Sequence, residues 1–340
     1  MTHRKSVIPR SVAPRKESMM KILIVGAGAT GGFFGTRLVQ AGRDVTFLVR
    51  PHRAEQLRQG LRVYGPGYDE TIPVRAITAQ QLEDPYDLVL LMTKAWALDE
   101  AMEDITPAVG PDTTILPLLN GMAHLEKVNN RFGQESVLGG IVRVVTTLTP
   151  DGAVHQLKPG ATLIFGEQDR RRTDRAARIE QELRVPGYDL VLDEDILAAM
   201  WHKWAFIAAG ATTTCLMRGT IGHILATPGG RDFVLAVIDQ TERVAAAAGY
   251  PVSEAAHAAS LEMFTEPGSV FTSSLYRDLT AGLRHEGEHL LGEFIDTAER
   301  LGVDVPLTRL ALTHVRVHDQ NSSPHHHARS TKQEEDVLKA

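Results

Sequence analysis

The chain has one cysteine, Cys215, in 340 residues. No intrachain disulfide can form, which excludes a small disulfide-stapled scaffold and suits a reducing compartment, so the cytosol is the expected location. Basic charge is not in excess either. Lysine and arginine number 36 against 42 acidic residues, a formal net charge of −6, which leaves no global basic field for a phosphate backbone and argues against nucleic acid as a partner. No window of about 18 residues is uniformly apolar; the best, 200–217, contains His202 and Lys203, so no membrane span is expected. The first 18 residues carry Arg4, Lys5, Arg10, Arg15 and Lys16 against one acid, Glu17, and lack the apolar core of a secretion signal. Pro9 and Pro14 spoil an amphipathic presequence helix, and Met19-Met20 offers an alternative start, so 1–18 is expected to be a disordered leader. From Asp319 the chain is polar and mixed in charge, and 319–340 is expected to be a disordered tail. Its His325-His326-His327 triplet hints at metal only by composition.

Between those ends the composition is globular: 43% hydrophobic and 23% charged residues exclude a disordered or collagen-like chain. At roughly 100 to 200 residues per domain, the length predicts two domains. The first half alternates strands and helices. Lys21-Ile22-Leu23-Ile24-Val25 runs through Gly26-Ala27-Gly28-Ala29-Thr30-Gly31-Gly32 into a helical segment, 33–41, closed by Gly42. Asp44-Val45-Thr46-Phe47-Leu48-Val49 is the next strand, so the glycines occupy the first turn of a βαβ unit. Further buried strands are expected at Asp87-Leu88-Val89-Leu90-Leu91-Met92 and Thr113-Thr114-Ile115-Leu116-Pro117-Leu118. Continuous apolar strands separated by helices indicate a parallel sheet covered on both faces. The expected fold class is α/β: a Rossmann-type doubly wound parallel sheet over 19–191, then an all-helical part over 192–318.

The glycines point to a ligand. Gly26 allows the tight turn out of the strand, Gly28 lets backbone approach a pyrophosphate, and Gly31 lets the helix pack close to the sheet. Free N–H groups at the helix start, contributed by Ala27 to Gly31 with Ala29 and Thr30 between the glycines, then bind phosphates. The second strand ends at Arg50, where an NAD enzyme places an acid for the ribose 2′-OH. Arginine there suits a 2′-phosphate, so NADP(H) is the expected cofactor, although Arg50 also reads as a solvated loop cation beside Arg53.

Three later segments line up with one family: Thr93-Lys94-Ala95-Trp96 after one strand, Asn120-Gly121-Met122 after the next, and Trp201-His202-Lys203-Trp204 opening the second half. With the glycine motif, the chain from Met20 to Arg316 resembles the ketopantoate reductases, also called 2-dehydropantoate 2-reductases. The resemblance implies a 6-phosphogluconate dehydrogenase-like arrangement, in which a Rossmann domain holds NADPH and a helical domain closes over a 2-keto acid. The implied product is (R)-pantoate, on the route to pantothenate and coenzyme A. It makes Lys94 a cofactor-cleft lysine and Asn120 the amide near the nicotinamide and the reacting carbonyl. Asn-Gly by itself is a turn signal.

Lys203 lies in an expected helix over 196–217, among Trp201, Trp204, Phe206 and Ile207. Partial desolvation should lower its pKa toward the range of a general acid, where it would stabilise and protonate the alkoxide left by hydride transfer. The bland alternative is a snorkelling surface lysine. In Phe271-Thr272-Ser273-Ser274-Leu275-Tyr276-Arg277-Asp278 the resemblance makes Ser274 a contact of the substrate carboxylate; a serine at a helix start can also be only a cap. Six residues before Gly292 it places the family's glutamate at Glu286, orienting the active-site lysine or the cofactor ribose, with Glu288 a substitute in a loose register. Pairing of two copies through the helical part is a further expectation.

Two departures stand out. The family has substrate-binding asparagines four and eight residues after its lysine; here Ile207 and Ala211 occupy those positions. Thr212, Thr213 and Thr214 lie near enough to compensate, so the departures bear on the substrate rather than on the reaction. A rival reading takes His285-Glu286-Gly287-Glu288-His289 as the H-E-x-x-H zinc signature, with His314 and His318 as a further pair. Gly287 weakens the helix that motif needs, and zinc leaves the Rossmann half unexplained; no metal is expected. A non-catalytic NADP-binding sensor is the third alternative.

Overall fold

The computed structural model describes residues 19–322. The leader 1–18 and the His325-His326-His327 triplet lie outside the described residues. In chain order the first part comprises β1 (Lys21–Val25), α1 (Ala29–Gln40), β2 (Asp44–Leu48), α2 (Pro51–Gln56), β3 (Leu61–Gly65), β4 (Tyr68–Ile72), β5 (Arg75–Ile77), β6 (Leu88–Leu91), α3 (Leu98–Asp104), β7 (Thr114–Pro117), α4 (Ala123–Phe132), β8 (Gly139–Leu148), β9 (Val154–Gly166), α5 (Asp174–Leu183) and β10 (Asp189–Leu192). The rest is helical: α6 (Ile196–Met217), α7 (Ile221–Leu225), α8 (Gly230–Ala247), α9 (Glu254–Thr265), α10 (Ser274–Thr280), a π turn over Glu288–Gly292, α11 (Glu293–Arg300) and α12 (Pro306–Ser322).

Five strands form a wholly parallel sheet in the order β5-β2-β1-β6-β7. Its apolar runs are unbroken because both faces are buried. Along β1 and β6, Ile22, Ile24, Leu88 and Leu90 point into a core shared with Phe33, Phe34 and Leu38 of α1. Leu23, Val25, Val89 and Leu91 point the other way, against Leu98 and Met102 of α3 and Leu125 and Val128 of α4. Alternation therefore divides each strand between two cores. Strand order reverses between β1 and β6, and the crevice outside the carboxyl ends of strands at such a switch point is where α/β sheets bind ligands.

A second sheet, β10-β9-β3-β4 with β8 also on β9, was not anticipated. β4 is the sequence Tyr-Asp-Glu-Thr-Ile, mostly exposed, so it lacks the apolar run that marked the parallel strands. Two boundaries also move. α1 begins at Ala29 rather than 33, because the end of the glycine loop is already helical. α12 continues through Asp319, where the tail was expected to start: Leu312 and Val315 bury one face, while Arg316 pairs with Glu288 and Asp319 with His285.

α6 is the axis of the helical part. Asp195 caps it by accepting from the Ala198 N–H. Burial nearly all round reflects α8, α10 and α12 packed against it with β8 at its first turns, and Trp204 and Phe294 meet edge to face within this core.

Candidate active site

The glycine loop follows β1 at the switch point. Gly26 takes φ +101°, and a Cβ on Gly31 would stand 2.0 Å from the Gly26 carbonyl oxygen, so the loop closes on itself only without that atom. Gly28 caps α1, and a Cβ there would meet no atom within 4 Å. Open space thus lies before the unpaired N–H groups of the first turn. Arg53, to which its place in the sequence gives no role, braces the loop by donating from Nε and Nη2 to the Ala27 carbonyl at 3.1 and 2.8 Å. Across the crevice the Thr93 hydroxyl is buried without a partner among the described residues. A space beside Gly28, free helix donors and an orphaned hydroxyl together fit a dinucleotide pyrophosphate.

Arg50 follows β2 and precedes Pro51, largely exposed. Its guanidinium is paired with Glu100 of α3 and lies 5.7 Å from the Trp96 ring centroid, while Arg284 of the helical part lies 4.1 Å from the same ring. Lys94 follows β6. Its ammonium reaches Glu286 at 3.1 Å and Asp278 at 3.4 Å, and the Ala95 N–H donates to the other Glu286 oxygen at 2.8 Å. Burial alone would lower the Lys94 pKa; the two carboxylates outweigh it and raise it.

Lys203 projects from α6 toward β8, and its ammonium donates to the Val142 carbonyl at 2.8 Å. Among the described residues this is its one hydrogen bond, so two N–H bonds remain to be used. Burial, helped by the charge of Arg143 and opposed by Glu286, pulls its pKa down to about 8. Asn120 follows β7 and its side chain makes no hydrogen bond among the described residues; its carbonyl accepts from His289 Nε2 at 2.6 Å. Beside it His124 is wholly buried, both ring nitrogens unpartnered among the described residues, and burial with the charges of His289 and Lys203 pushes its pKa to about 3. His289 behaves oppositely: burial would lower its pKa, but bonds to Glu293 and to the Asn120 carbonyl raise it.

Gly26 to Gly31, Arg50, Lys94 and Asn120 therefore all lie past the carboxyl ends of β1, β2, β6 and β7; the helical part brings Glu286 to that edge, and Lys203, bonded to β8, is near enough to Glu286 and His124 for their charges to interact. Two family descriptions span this arrangement: "Ketopantoate reductase PanE/ApbA" matches residues 22–169 and "Ketopantoate reductase PanE/ApbA C terminal" matches residues 195–319. The chain belongs to the ketopantoate reductase family. It is similar to the "uncharacterized oxidoreductase YkpB" of Bacillus subtilis, 33% identical over 301 residues that cover 88% of this chain and 99% of that one. A solved 2-dehydropantoate 2-reductase from Geobacter metallireducens superposes with TM-score 0.79 at 28% identity, covering 87% and 99% of the two chains. D-mandelate dehydrogenase, solved with NADH and anilino(oxo)acetate, has the same fold at TM-score 0.79 and 21% identity, covering 89% and 99%. The protein is an oxidoreductase acting on a CH–OH group and its carbonyl counterpart.

Other residues singled out in the ketopantoate reductase pattern divide clearly. Of the two serines, Ser273 is the cap of α10: its hydroxyl accepts from the Tyr276 N–H at 3.1 Å and meets Thr214 Oγ1 at 2.8 Å. Ser274 is exposed, and its hydroxyl makes no hydrogen bond among the described residues. Glu286 reaches the cleft, whereas Glu288 is turned outward in a two-bond pair with Arg316, both contacts 2.7 Å. The H-E-x-x-H residues go to separate partners: His285 to Asp319, Glu286 to Lys94 and Ala95, His289 to Asn120. No group of three or more His, Cys, Asp or Glu among the described residues is arranged to hold a metal ion. No helix among them is long and apolar enough to cross a membrane. A cavity of about 810 Å³ beyond Glu286 includes neither Lys203 nor the glycine loop. Its Arg309 and Arg316 are already paired with Glu299 and Glu288, so its geometry is that of a solvent groove beside the cleft.

Proposed function

We propose that this protein reduces a 2-keto acid with NADPH, Lys203 serving as the general acid. The observation that carries the reading is the Lys203 ammonium, pKa about 8, with one backbone acceptor and two donors to spare. Bound NADPH supplies the hydride. Lys203 donates a hydrogen bond to the carbonyl oxygen, stabilises the negative charge that grows there, and gives up the proton. Glu286 holds Lys94 and Ala95 at the cleft edge, Asn120 presents its amide to the reacting carbonyl, and Ser274 receives the carboxylate. Ketopantoate, giving (R)-pantoate, is the first substrate to test. NADPH oxidation with a panel of 2-keto acids including ketopantoate is the assay; NADPH binding without turnover of any of them overturns the reading in favour of a sensor.

A second substrate reading rests on α6. Beyond Lys203 its face continues as half-buried Ile207 and buried Ala211. Two of the three threonines near the lost amides are engaged: Thr212 meets Thr308 at 3.3 Å, and Thr214 donates to the Gly210 carbonyl at 2.7 Å, while Thr213 is buried. A wall without donors favours a 2-keto acid with an apolar side chain over the hydroxylated ketopantoate. Turnover of such acids with little on ketopantoate is the result that separates the two.

Choice of NADP(H) rests on Arg50. Its pairing with Glu100 places a carboxylate where a 2′-phosphate would compete for the same guanidinium. Arg50→Ala is expected to raise KM for NADPH about tenfold, ~1.4 kcal/mol, with little change for NADH. Glu100→Gln is expected to lower KM for NADPH. Equal effects of Arg50→Ala on both nucleotides would reassign Arg50 to the solvated loop.

A further inference from the structure

One segment, 286–293, helical from Gly287, grips both loops that close the Rossmann edge. Glu286 takes the loop after β6 through the Ala95 N–H and Lys94, and His289 takes the loop after β7 through the Asn120 carbonyl. We infer that His289 is a positioning residue for the reduction, fixing the Asn120–Gly121 peptide and through it the Asn120 side chain in the cleft. The inference rests on the 2-keto acid reading.

A carbonyl oxygen only accepts, so the 2.6 Å contact requires the hydrogen on His289 Nε2. The opposite nitrogen, Nδ1, lies 3.4 Å from Glu293 Oε1 one turn further on; a carboxylate only accepts, so this second contact holds the ring when the imidazole is protonated on both nitrogens. Gly121 has φ +85°, and a glycine can adopt the backbone conformations on either side of a flip of the peptide before it. Flipping would reverse the Asn120 carbonyl and the Gly121 N–H together, because both belong to one planar trans unit. The His289 bond opposes that flip from the helical side.

Two further contacts show that the imidazole is itself held in place. A Cβ on Gly121 would come within 3.2 Å of His289 Nε2 and 3.6 Å of Trp204 Nε1, so ring and indole close directly over the turn. Trp204 Nε1 donates to the Leu290 carbonyl at 3.2 Å, tying the segment that carries His289 to the helix that carries Lys203. The segment makes its π turn over Glu288–Gly292, a distortion that recurs at functional sites. Lys203 and Asn120 thereby share one rigid connection: α6, Trp204, Leu290, His289 and the Asn120 carbonyl.

Three variants test this. His289→Leu removes the donor and keeps bulk, His289→Gln keeps a donor, and Glu288→Gln on the outward face controls for general damage to the segment. For His289→Leu, kcat should fall about 10- to 100-fold, the cost expected of a small misplacement of reacting groups. NADPH binding should change by less than about threefold, and the isotope effect with deuterated NADPH should rise as hydride transfer becomes limiting. His289→Gln should recover at least part of kcat. Hydrogen exchange of the peptide spanning 118–125 should quicken roughly tenfold in the Leu variant and less in the Gln variant. Equal kcat loss in the Leu and Gln variants, or unchanged exchange in both, overturns the inference. Exchange is read without substrate, so it decides the clamp even if the wild type turns over no 2-keto acid, an outcome that would instead remove the functional reading.

Discussion

Lys203→Ala is expected to lower kcat by about 10²- to 10⁴-fold, the usual contribution of a positioned general acid. NADPH binding should persist, because the glycine loop and Arg53 owe nothing to Lys203. Stopped turnover with intact nucleotide binding is the signature, and an unchanged rate would falsify the assignment. The wild-type pH profile gives an independent check. An acid must be protonated to act, and the Lys203 pKa of about 8 lies below its ordinary 10.5. The rate of keto acid reduction should therefore fall as pH rises through about 8, and a profile flat to pH 10 would exclude Lys203 as the proton donor. The sign for stability is opposite. Between about 8 and 10.5 the unfolded chain binds the proton that the folded chain has lost, so this lysine's contribution to stability improves as pH rises across that window.

Two glycines of the loop should separate binding from folding. At Gly28, φ is −81° and an added Cβ meets nothing within 4 Å, so Gly28→Ala should leave Tm nearly unchanged. The methyl would stand where the pyrophosphate must approach, and NADPH affinity is expected to fall by roughly 100-fold, about 2.7 kcal/mol. At Gly31 the Cβ would lie 2.0 Å from the Gly26 carbonyl oxygen and 3.2 Å from Met92 Cβ. Alanine in a helix is ordinarily favoured over glycine by about 1 kcal/mol. Here the contact is with backbone and reverses the sign, so Gly31→Ala should cost roughly 1–3 kcal/mol or more. Calorimetry on both variants beside nucleotide titration gives the contrast; a Gly31→Ala protein as stable as the wild type would show that the loop can open.

What could be read along the chain was whatever rests on short-range pattern. The glycine turn, the strands before and after its helix and the apolar runs of β6 and β7 all announce themselves because burial on both faces leaves few polar residues in them, Lys21 and Asp44 at strand starts and the buried Thr46 and Thr114. α6 was legible for the same reason. The hairpin of β3 and β4 was not, since a strand with charged, exposed residues differs little in sequence from a loop. The end of α12 was hidden similarly: its last charged residues look like tail until Glu288 and His285 are placed beside them.

The candidate site divides along the same line. By itself the sequence determined which residues stand at strand ends and helix starts: Gly26, Gly28 and Gly31, Arg50, Lys94, Asn120, and a lysine among aromatics at 203. Those are local facts, set by where a strand must stop and what a turn must be made of. Which groups meet was decided by the tertiary structure alone. Glu286 rather than Glu288 reaches Lys94, Glu100 takes hold of Arg50, and Arg53 and His289 act on loops far from them in sequence. An H-E-x-x-H spacing, sharp as a string of letters, separates into three different contacts because His285 and Glu286 precede the helix and only His289 lies in the π turn over Glu288–Gly292, so the two histidines share no α-helical face. Spacing can place side chains on a face, but the partners they find come from packing elements distant in the chain, and that information is carried by no single segment.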